Sequence, residues 1–247
     1  MRNLKLTVQY DGTSYVGWQR QETGTSIQGL LEDALAPIAG ERVTVHGAGR
    51  TDAGVHAVGQ VATVALDTAL TPSTVARALN AVLPLDVRVL AIEEARPEFH
   101  ARFSAVGKLY EYRVLNAPIA SAFMFRYAWH VPQVLDLDAM RSASLSLVGS
   151  HDFAAFQGSG SFVHSTTRTV HAIQWEDGGG YDLPLVMRIE GDGFLRHMVR
   201  NIVGTLIEVG SGRWSPSHVE AILRSLDRSR AGPTAPPHGL FLVRVDY

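Results

Sequence analysis

The sequence predicts an α+β fold in two similar halves, on three observations. Apolar residues alternate with a period of two in some stretches and recur about every 3.6 residues in others, the marks of half-buried strands and amphipathic helices. Over residues 1–94 these stretches follow the order β-α-β-β-α-β, the split β-α-β unit of ferredoxin-like folds. After residue 105 nearly the same order returns, without a residue-level repeat. A chain of 247 residues has room for two modest domains and a large core. We therefore expect an N-terminal domain over 1–104 and a C-terminal domain over 105–247. Their antiparallel or mixed sheets are expected to join edge to edge, with helices on one face and a cleft on the other. Such joining covers exposed edge strands.

The first half reads as follows. Residues 4–10 form a strand with Leu4, Leu6 and Val8 on one face. Asp11-Gly12-Thr13-Ser14 is a turn. Tyr15 to Gln21 mixes aromatics, amides and Arg20, a combination suited to base stacking and phosphate contact as well as to loop packing. Ser26 is an N-cap candidate for a helix over 27–38, whose stripe is Ile27, Leu30, Leu31, Ala34 and Leu35. Val43-Thr44-Val45 reads as a short strand and 60–66 as another. Thr71-Pro72-Ser73 opens a second helix that runs to about Val82. Residues 86–94 are the next strand, and 96–103 is an aperiodic connector rich in Arg, His and Phe.

In the second half, 108–116 alternates as a strand with Tyr110 and Tyr112 on one face. Asp136 caps a helix over 137–148, and 168–175 and 185–190 are strands. A strong helix spans 194–209, with Leu195, Met198, Val199, Ile202, Val203, Leu206 and Ile207 as its apolar stripe. Ser215-Pro216 caps another helix ending near Leu226, a proline-rich loop covers 231–239, and 240–245 is the final strand.

Composition narrows the function. The chain has no cysteine, which excludes disulfides and thiolate metal sites. No apolar run approaches the roughly 20 residues that span a bilayer, and the first ten residues alternate like a strand rather than a secretory leader. The expectation is a cytoplasmic protein. A net charge of −2 argues against a protein that coats nucleic acid but leaves room for a local basic face. Lys5 and Lys108 are the only lysines, so the cations are almost all arginine, whose planar fork suits phosphate. His-Glu-x-x-His, the phosphate-cradling Gly-x-x-x-x-Gly-Lys-Ser/Thr, Gly-x-Ser-x-Gly and the dinucleotide fingerprint are all absent.

The positive signal is Gly47-Ala48-Gly49-Arg50-Thr51-Asp52-Ala53-Gly54-Val55-His56. Glycines bracket a charged pair on a loop between strands, which suits chemistry and equally suits a tight turn with a solvated ion pair. A carboxylate held there serves as a nucleophile or base, and an arginine beside it favours the ionised form. A tyrosine such as Tyr110 stacks on a base or exchanges a proton; the alternative, favoured for an isolated Tyr-x-Tyr strand, is that Tyr110 and Tyr112 fill the core of the second sheet. These groups fit attack on an electrophilic heterocycle better than metal-assisted hydrolysis.

Asp11-Gly12, Gly17-Trp18-Gln19-Arg20-Gln21, Ala48 to Ala57, Phe99-His100-Ala101-Arg102-Phe103 and His197 to Gly204 occur in this order. With this set, and as far as Gly239-Leu240-Phe241-Leu242, the chain resembles the tRNA pseudouridine synthase A family. The resemblance implies conversion of uridine to pseudouridine at positions 38, 39 and 40 of the tRNA anticodon stem-loop. It implies no cofactor and no metal, and a homodimer in which one tRNA contacts both subunits. It implies Asp52 as nucleophile, attacking C6 of the uracil or C1′ of the ribose, with both routes open. Arg50 is implied to flip the target base and pair with that carboxylate, and Tyr110 to stack on the uracil and take part in proton transfer. Phe99, His100, Ala101, Arg102 and Phe103 match an RNA-contacting segment, and Arg20, Arg102, Arg168 and Arg200 are expected to meet phosphates. One departure is the loop Gly160 to His164, which is poor in cations where some relatives carry a basic residue at the position of His164. That leaves the tRNA contacts of this loop open.

Overall fold

The computed structural model describes residues 1–160, 163–180 and 182–247. The chain divides into two compact units, Met1–Val106 with Phe241–Tyr247, and Gly107–Leu240.

In the first unit β1 (Arg2–Tyr10) lies between two antiparallel neighbours, β3 (His56–Leu66) and β4 (Val87–Glu94). The short β2 (His46–Gly47) joins β3 on its other edge, also antiparallel, giving the order β4-β1-β3-β2. Alternation places Leu4, Leu6 and Val8 opposite Val64, Ala62 and Gln60, and all six are buried. Each fully buried Leu or Val contributes about 1.5–3 kcal/mol. Helix α1 (Ile27–Ala39) starts where Ser26 Oγ accepts the Gly29 N–H at 3.1 Å, and buries Ile27, Leu31 and Leu35. Helix α2 (Pro72–Val82) is capped by Thr71 and packs Val75 and Leu79 inward. The other face of the sheet meets the connector and the C-terminal tail. There Thr63 Oγ1 accepts the Ala101 N–H at 3.3 Å, and Lys5 Nζ sits 5.4 Å from the centre of the Tyr247 ring.

One expected strand is displaced. The strand read at 43–45 lies instead at His46–Gly47. The reason is that Val45 spends its backbone on α1: its N–H goes to Glu32 Oε1 at 3.0 Å and its carbonyl takes Gln28 Nε2 at 3.1 Å. Side chains of the helix have replaced the ladder partners there.

The second unit is built on β5 (Gly107–Leu115), flanked by β6 (Trp129–His130), which is parallel to it, and by antiparallel β9. After α3 (Leu137–Leu145) come β7 (Gly149–Asp152), β8 (Thr167–Glu176) and β9 (Leu185–Gly191), giving the order β6-β5-β9-β8-β7. Helices α4 (Met198–Gly210) and α5 (Ser217–Ser225) follow. Tyr112, Met187, Ile189, Met140, Phe153, Phe156, Ile202 and Leu206 are fully buried. Helix α4 begins four residues later than its apolar pattern, because His197 is left-handed at φ 59° and breaks the helical path. The proline-rich loop 231–239 presses on α4: a Cβ at Gly204 would stand 1.7 Å from the Pro233 carbonyl oxygen.

The final strand, β10 (Leu240–Asp246), corrects the expected boundary. Residues 241–247, expected with the second domain over 105–247, group with the first unit. Phe241 and Leu242 run parallel beside His56 and Ala57 of β3. The Val106 N–H donates to the Asp246 carbonyl at 2.9 Å, and Tyr247 Oη donates to the Ala101 carbonyl at 2.8 Å.

Candidate active site

The loop between β2 and β3 is held on several sides. Its first turn is hooked to the sheet by Ala48 N–H to the Val61 carbonyl at 2.7 Å, and its last by Val55 N–H to the Asp52 carbonyl at 3.1 Å. The Gly17-Trp18 turn packs directly against it. Gly17 has φ 104°, where a Cβ would be strained, and that Cβ would lie 2.5 Å from the Thr51 carbonyl oxygen. Trp18, buried, donates its N–H to the same carbonyl at 3.0 Å and lies against Gly47. Gly12 is equally close, its missing Cβ falling 2.0 Å from the Val55 carbonyl oxygen. The glycines and the tryptophan of the first two motifs therefore share one role, which is to let backbone lie on backbone beneath Arg50 and Asp52.

Beneath the loop Thr51 is buried and shares a 2.8 Å hydrogen bond with Tyr10. Burial pushes the Tyr10 phenol up to about 12, against the smaller lowering effect of its hydrogen bonds to Thr51 and Gln60. Gln60 donates to the Gly49 carbonyl at 2.8 Å. Arg50 is exposed and Asp52 half-buried. At the far end His56 is buried and stacked on Phe241, with ring centres 4.6 Å apart. Its Nδ1 lies 3.0 Å from the Gly12 N–H and 3.1 Å from Asp11 Oδ1. A backbone N–H aimed at Nδ1 needs a lone pair there. The Gly12 contact is therefore the hydrogen bond, and Asp11 Oδ1 is occupied by Thr13 N–H and Oγ1 at 2.9 and 2.6 Å.

The other expected site residues fall into three groups. Arg102 and Phe103 are exposed, with the guanidinium 5.6 Å from the ring centre. Phe103 lies tilted against His100 with ring centres 4.5 Å apart, and His100 tilted against His46 at 5.1 Å, so cation and rings are in a continuous chain of contacts. Burial, helped by His46 and Arg102 nearby, lowers the His100 pKa. His46, His100, Phe99, Arg42, Thr44 and Asn3 line an adjoining groove of about 380 Å³. Ala101 is fully buried and Phe99 packs on Tyr247, so within 99–103 these two anchor the segment.

Arg20 and Arg200 are committed to protein acceptors. Arg20 pairs with buried Glu32, whose other oxygen holds Gln28 and Val45. Arg200 donates from Nε to the Ala235 carbonyl at 2.7 Å. Arg168 is half-buried and spends Nη1 on the Ser165 and Thr167 carbonyls at 3.0 and 2.5 Å. Sequence treated these three as phosphate ligands; their observed hydrogen bonds are internal. Tyr110 is 7 % exposed on β5 and meets Phe194 edge-on at 5.2 Å. Tyr112, two residues on, is core: its hydroxyl donates to the Pro236 carbonyl at 2.8 Å, and burial raises its pKa far above the usual phenol value. In the loop Gly160 to His164, Ser161 and Phe162 lie outside the described residues.

Sequence reasoning missed Tyr10, Gln60 and His56 as supports, and Asn201 as a hub. Asn201, fully buried, donates to the Phe156 carbonyl at 2.7 Å and accepts from Arg228 and Thr234 at 3.0 and 2.7 Å. The signal for Gln60 was available: an amide on the core face of a strand needs partners. No cluster of three or more His, Cys, Asp or Glu residues suited to a metal occurs among the described residues.

A family model described as tRNA pseudouridine synthase matches residues 6–104 and 143–247. A protein of Thermoanaerobacter sp. (strain X514) named tRNA pseudouridine synthase A is 43% identical over 247 residues, covering all of both chains. Its namesakes from Sinorhizobium medicae and Geobacter sp. (strain M21) are each 44% identical, covering all of this chain and 100% and 99% of theirs. Among solved structures, a crystal structure of a Cbf5-Nop10-Gar1 complex matches weakly, at TM-score 0.40 and 15% identity, over 97% of this chain and 48% of that longer one.

Proposed function

The chain belongs to the tRNA pseudouridine synthase family, and from that premise we propose that it isomerises uridine to pseudouridine at positions 38, 39 and 40 of the tRNA anticodon stem-loop, with Asp52 as nucleophile. The observation that carries this reading is the loop 47–56: its backbone is held by Trp18, Ala48 and Gln60 while Arg50 is displayed and Asp52 half-displayed. A uridine in a stem must leave its stack before a carboxylate reaches it, at a cost of a few kcal/mol. Exposed Arg50 is suited to hold the vacated space or a phosphate. Asp52 then either adds to C6 of the uracil or displaces the uracil from C1′ of the ribose. The N1–C1′ bond breaks, the ring turns and C5 bonds to C1′; the bond to Asp52 breaks to restore the carboxylate, the C5 proton leaves and N1 takes up a proton. Tyr110 supplies a ring to stack on the base and a hydroxyl for proton transfer. Arg102, Phe103, His100 and His46 contact RNA outside the reaction centre, because exposed rings beside a guanidinium stack bases and meet phosphate.

We read the strand order β4-β1-β3-β2 of the first unit as a ferredoxin-like half. The exposed Ile119, Phe123 and Phe125 form an apolar surface on one loop, which we assign to a second copy of the chain in a homodimer contacting one tRNA. No helix among the described residues is long and apolar enough to cross a membrane, and we place the enzyme in the cytoplasm with its substrate. The test is pseudouridine mapping on bulk tRNA from a strain lacking the enzyme, with and without purified protein. New pseudouridine at 38–40 is the expected result; tRNA unchanged at those positions refutes the reading. Sedimentation at rising protein concentration tests the dimer, and a monomer throughout refutes it.

A further inference from the structure

Arg50 lies between two residues, Gly49 and Thr51, that are each held from beneath. On one side Gln60, fully buried, donates from Nε2 to the Gly49 carbonyl at 2.8 Å. On the other, Thr51 takes the Tyr10 contact at 2.8 Å through its hydroxyl and the Trp18 N–H at 3.0 Å through its carbonyl. A carbonyl oxygen only accepts, so the Gln60 amide cannot be flipped. Its nitrogen also faces the Tyr10 oxygen, at a long 3.5 Å, which turns the phenol proton toward Thr51. The hydrogen bonds then run in one direction, from Gln60 through Tyr10 to Thr51, the neighbour of Asp52. This orientation leaves Gln60 Oε1 buried with no hydrogen-bond partner among the described residues. A buried acceptor without a donor costs stability, and an apolar residue would fill the same space without that cost. The unit carries the cost at a side chain that grips Gly49, and a buried polar group left unsatisfied in a native protein calls for a reason, of which holding a site is one.

We infer that Gln60 is a positioning residue: with Tyr10 it fixes the residues on both sides of Arg50, Gly49 and Thr51, so that Arg50 and Asp52 meet the flipped uridine without rearrangement of the loop. The inference rests on Asp52 being the nucleophile. A preset loop serves catalysis because small misplacements of reacting groups cost large factors in rate.

Gln60→Leu removes the grip on Gly49 and the orphan acceptor together. Its melting temperature is expected within a few degrees of wild type, because the two changes offset. Its kcat on tRNA is expected to fall by about tenfold to a hundredfold with KM little changed. Gln60→Glu supplies a pH profile. Ionised, its carboxylate repels the Gly49 carbonyl; protonated, its O–H donates to it. Burial raises the pKa of such a carboxyl, so the kcat of this variant, relative to wild type at the same pH, climbs as pH falls. Wild-type kcat from Gln60→Leu overturns the inference. So does a loss of kcat matched by a loss of thermal stability, with no recovery of Gln60→Glu at low pH. Asp52→Asn is assayed alongside. If it is active, the nucleophile reading fails and the inference with it; if it is inactive while Gln60→Leu is fully active, only the inference fails.

Discussion

The two units bury polar side chains to different ends. In the first, Tyr10, Thr51, His56, Gln60, Gln28 and Glu32 are buried around one loop and its neighbouring turn, and their bonds hold backbone that displays charged residues. In the second, Asn201 and Thr205 are buried on α4, and their bonds tie down the strap 231–239 and the Phe156 turn. One network holds an open loop and the other closes a core. Buried polarity therefore does not mark a functional site by itself. The difference lies in what the network holds: in the first unit, a loop that leaves Arg50 exposed and Asp52 half-buried.

That contrast is open to experiment, beginning with the largest effect. Asp52→Asn is expected to abolish pseudouridine formation, by about a thousandfold or more, while thermal stability and tRNA affinity stay near wild type; turnover near the normal rate would remove the first unit's special status. Asn201→Ala is expected to do the reverse. It strands the Phe156 carbonyl and removes the acceptor shared by Arg228 and Thr234, and should lower stability by about 2–4 kcal/mol, read as a lower denaturant midpoint. Activity of the folded fraction at low temperature should persist. Tyr110→Phe keeps the ring and removes the hydroxyl; a fall in kcat of about tenfold or more with KM unchanged would assign the hydroxyl to proton transfer, and normal turnover would leave stacking as its whole role. Arg102→Ala should flatten the salt dependence of tRNA binding by about one unit of slope. Arg200→Ala, whose guanidinium already serves the Ala235 carbonyl, should leave that slope unchanged while lowering stability. The smallest effect is alkaline. The buried Tyr10 phenol ionises at about 12 when folded and near 10 when unfolded. The unfolded chain therefore loses its proton first, and stability falls as pH rises from about 10 through 12. Tyr10→Phe should make that decline shallower.

Much of this was legible in the sequence, and the exceptions have physical causes. Caps at Ser26 and Asp136 and the opening Thr71-Pro72 were readable, because capping is a local event between residues three apart. The strand read at 43–45 was not where its β-branched residues placed it, because Gln28 and Glu32 of α1 took the Val45 backbone groups. The late start of α4 depends on a left-handed His197, packed where Gly158 leaves no Cβ; no pattern within the helix encodes that. Of the candidate site, the turn 47–56 between two strands was readable from its glycines. The hydrogen-bond partners of the arginines were not, since a guanidinium reads alike in sequence whether it faces solvent or, as with Arg20, a buried carboxylate.

The return of β10 to the first unit sets a timetable. Phe241 stacks on His56, Asp246 holds Val106, and Tyr247 holds Ala101. A chain made from its N-terminus exposes the loop 47–56 early, yet these contacts wait until the whole second unit has been translated. At ordinary elongation rates the delay is on the order of ten seconds. A nascent chain stalled before residue 241 thus carries Asp52 on an unfinished support. The fold makes completion of the first unit wait on residues that follow the second, an order written into connectivity alone.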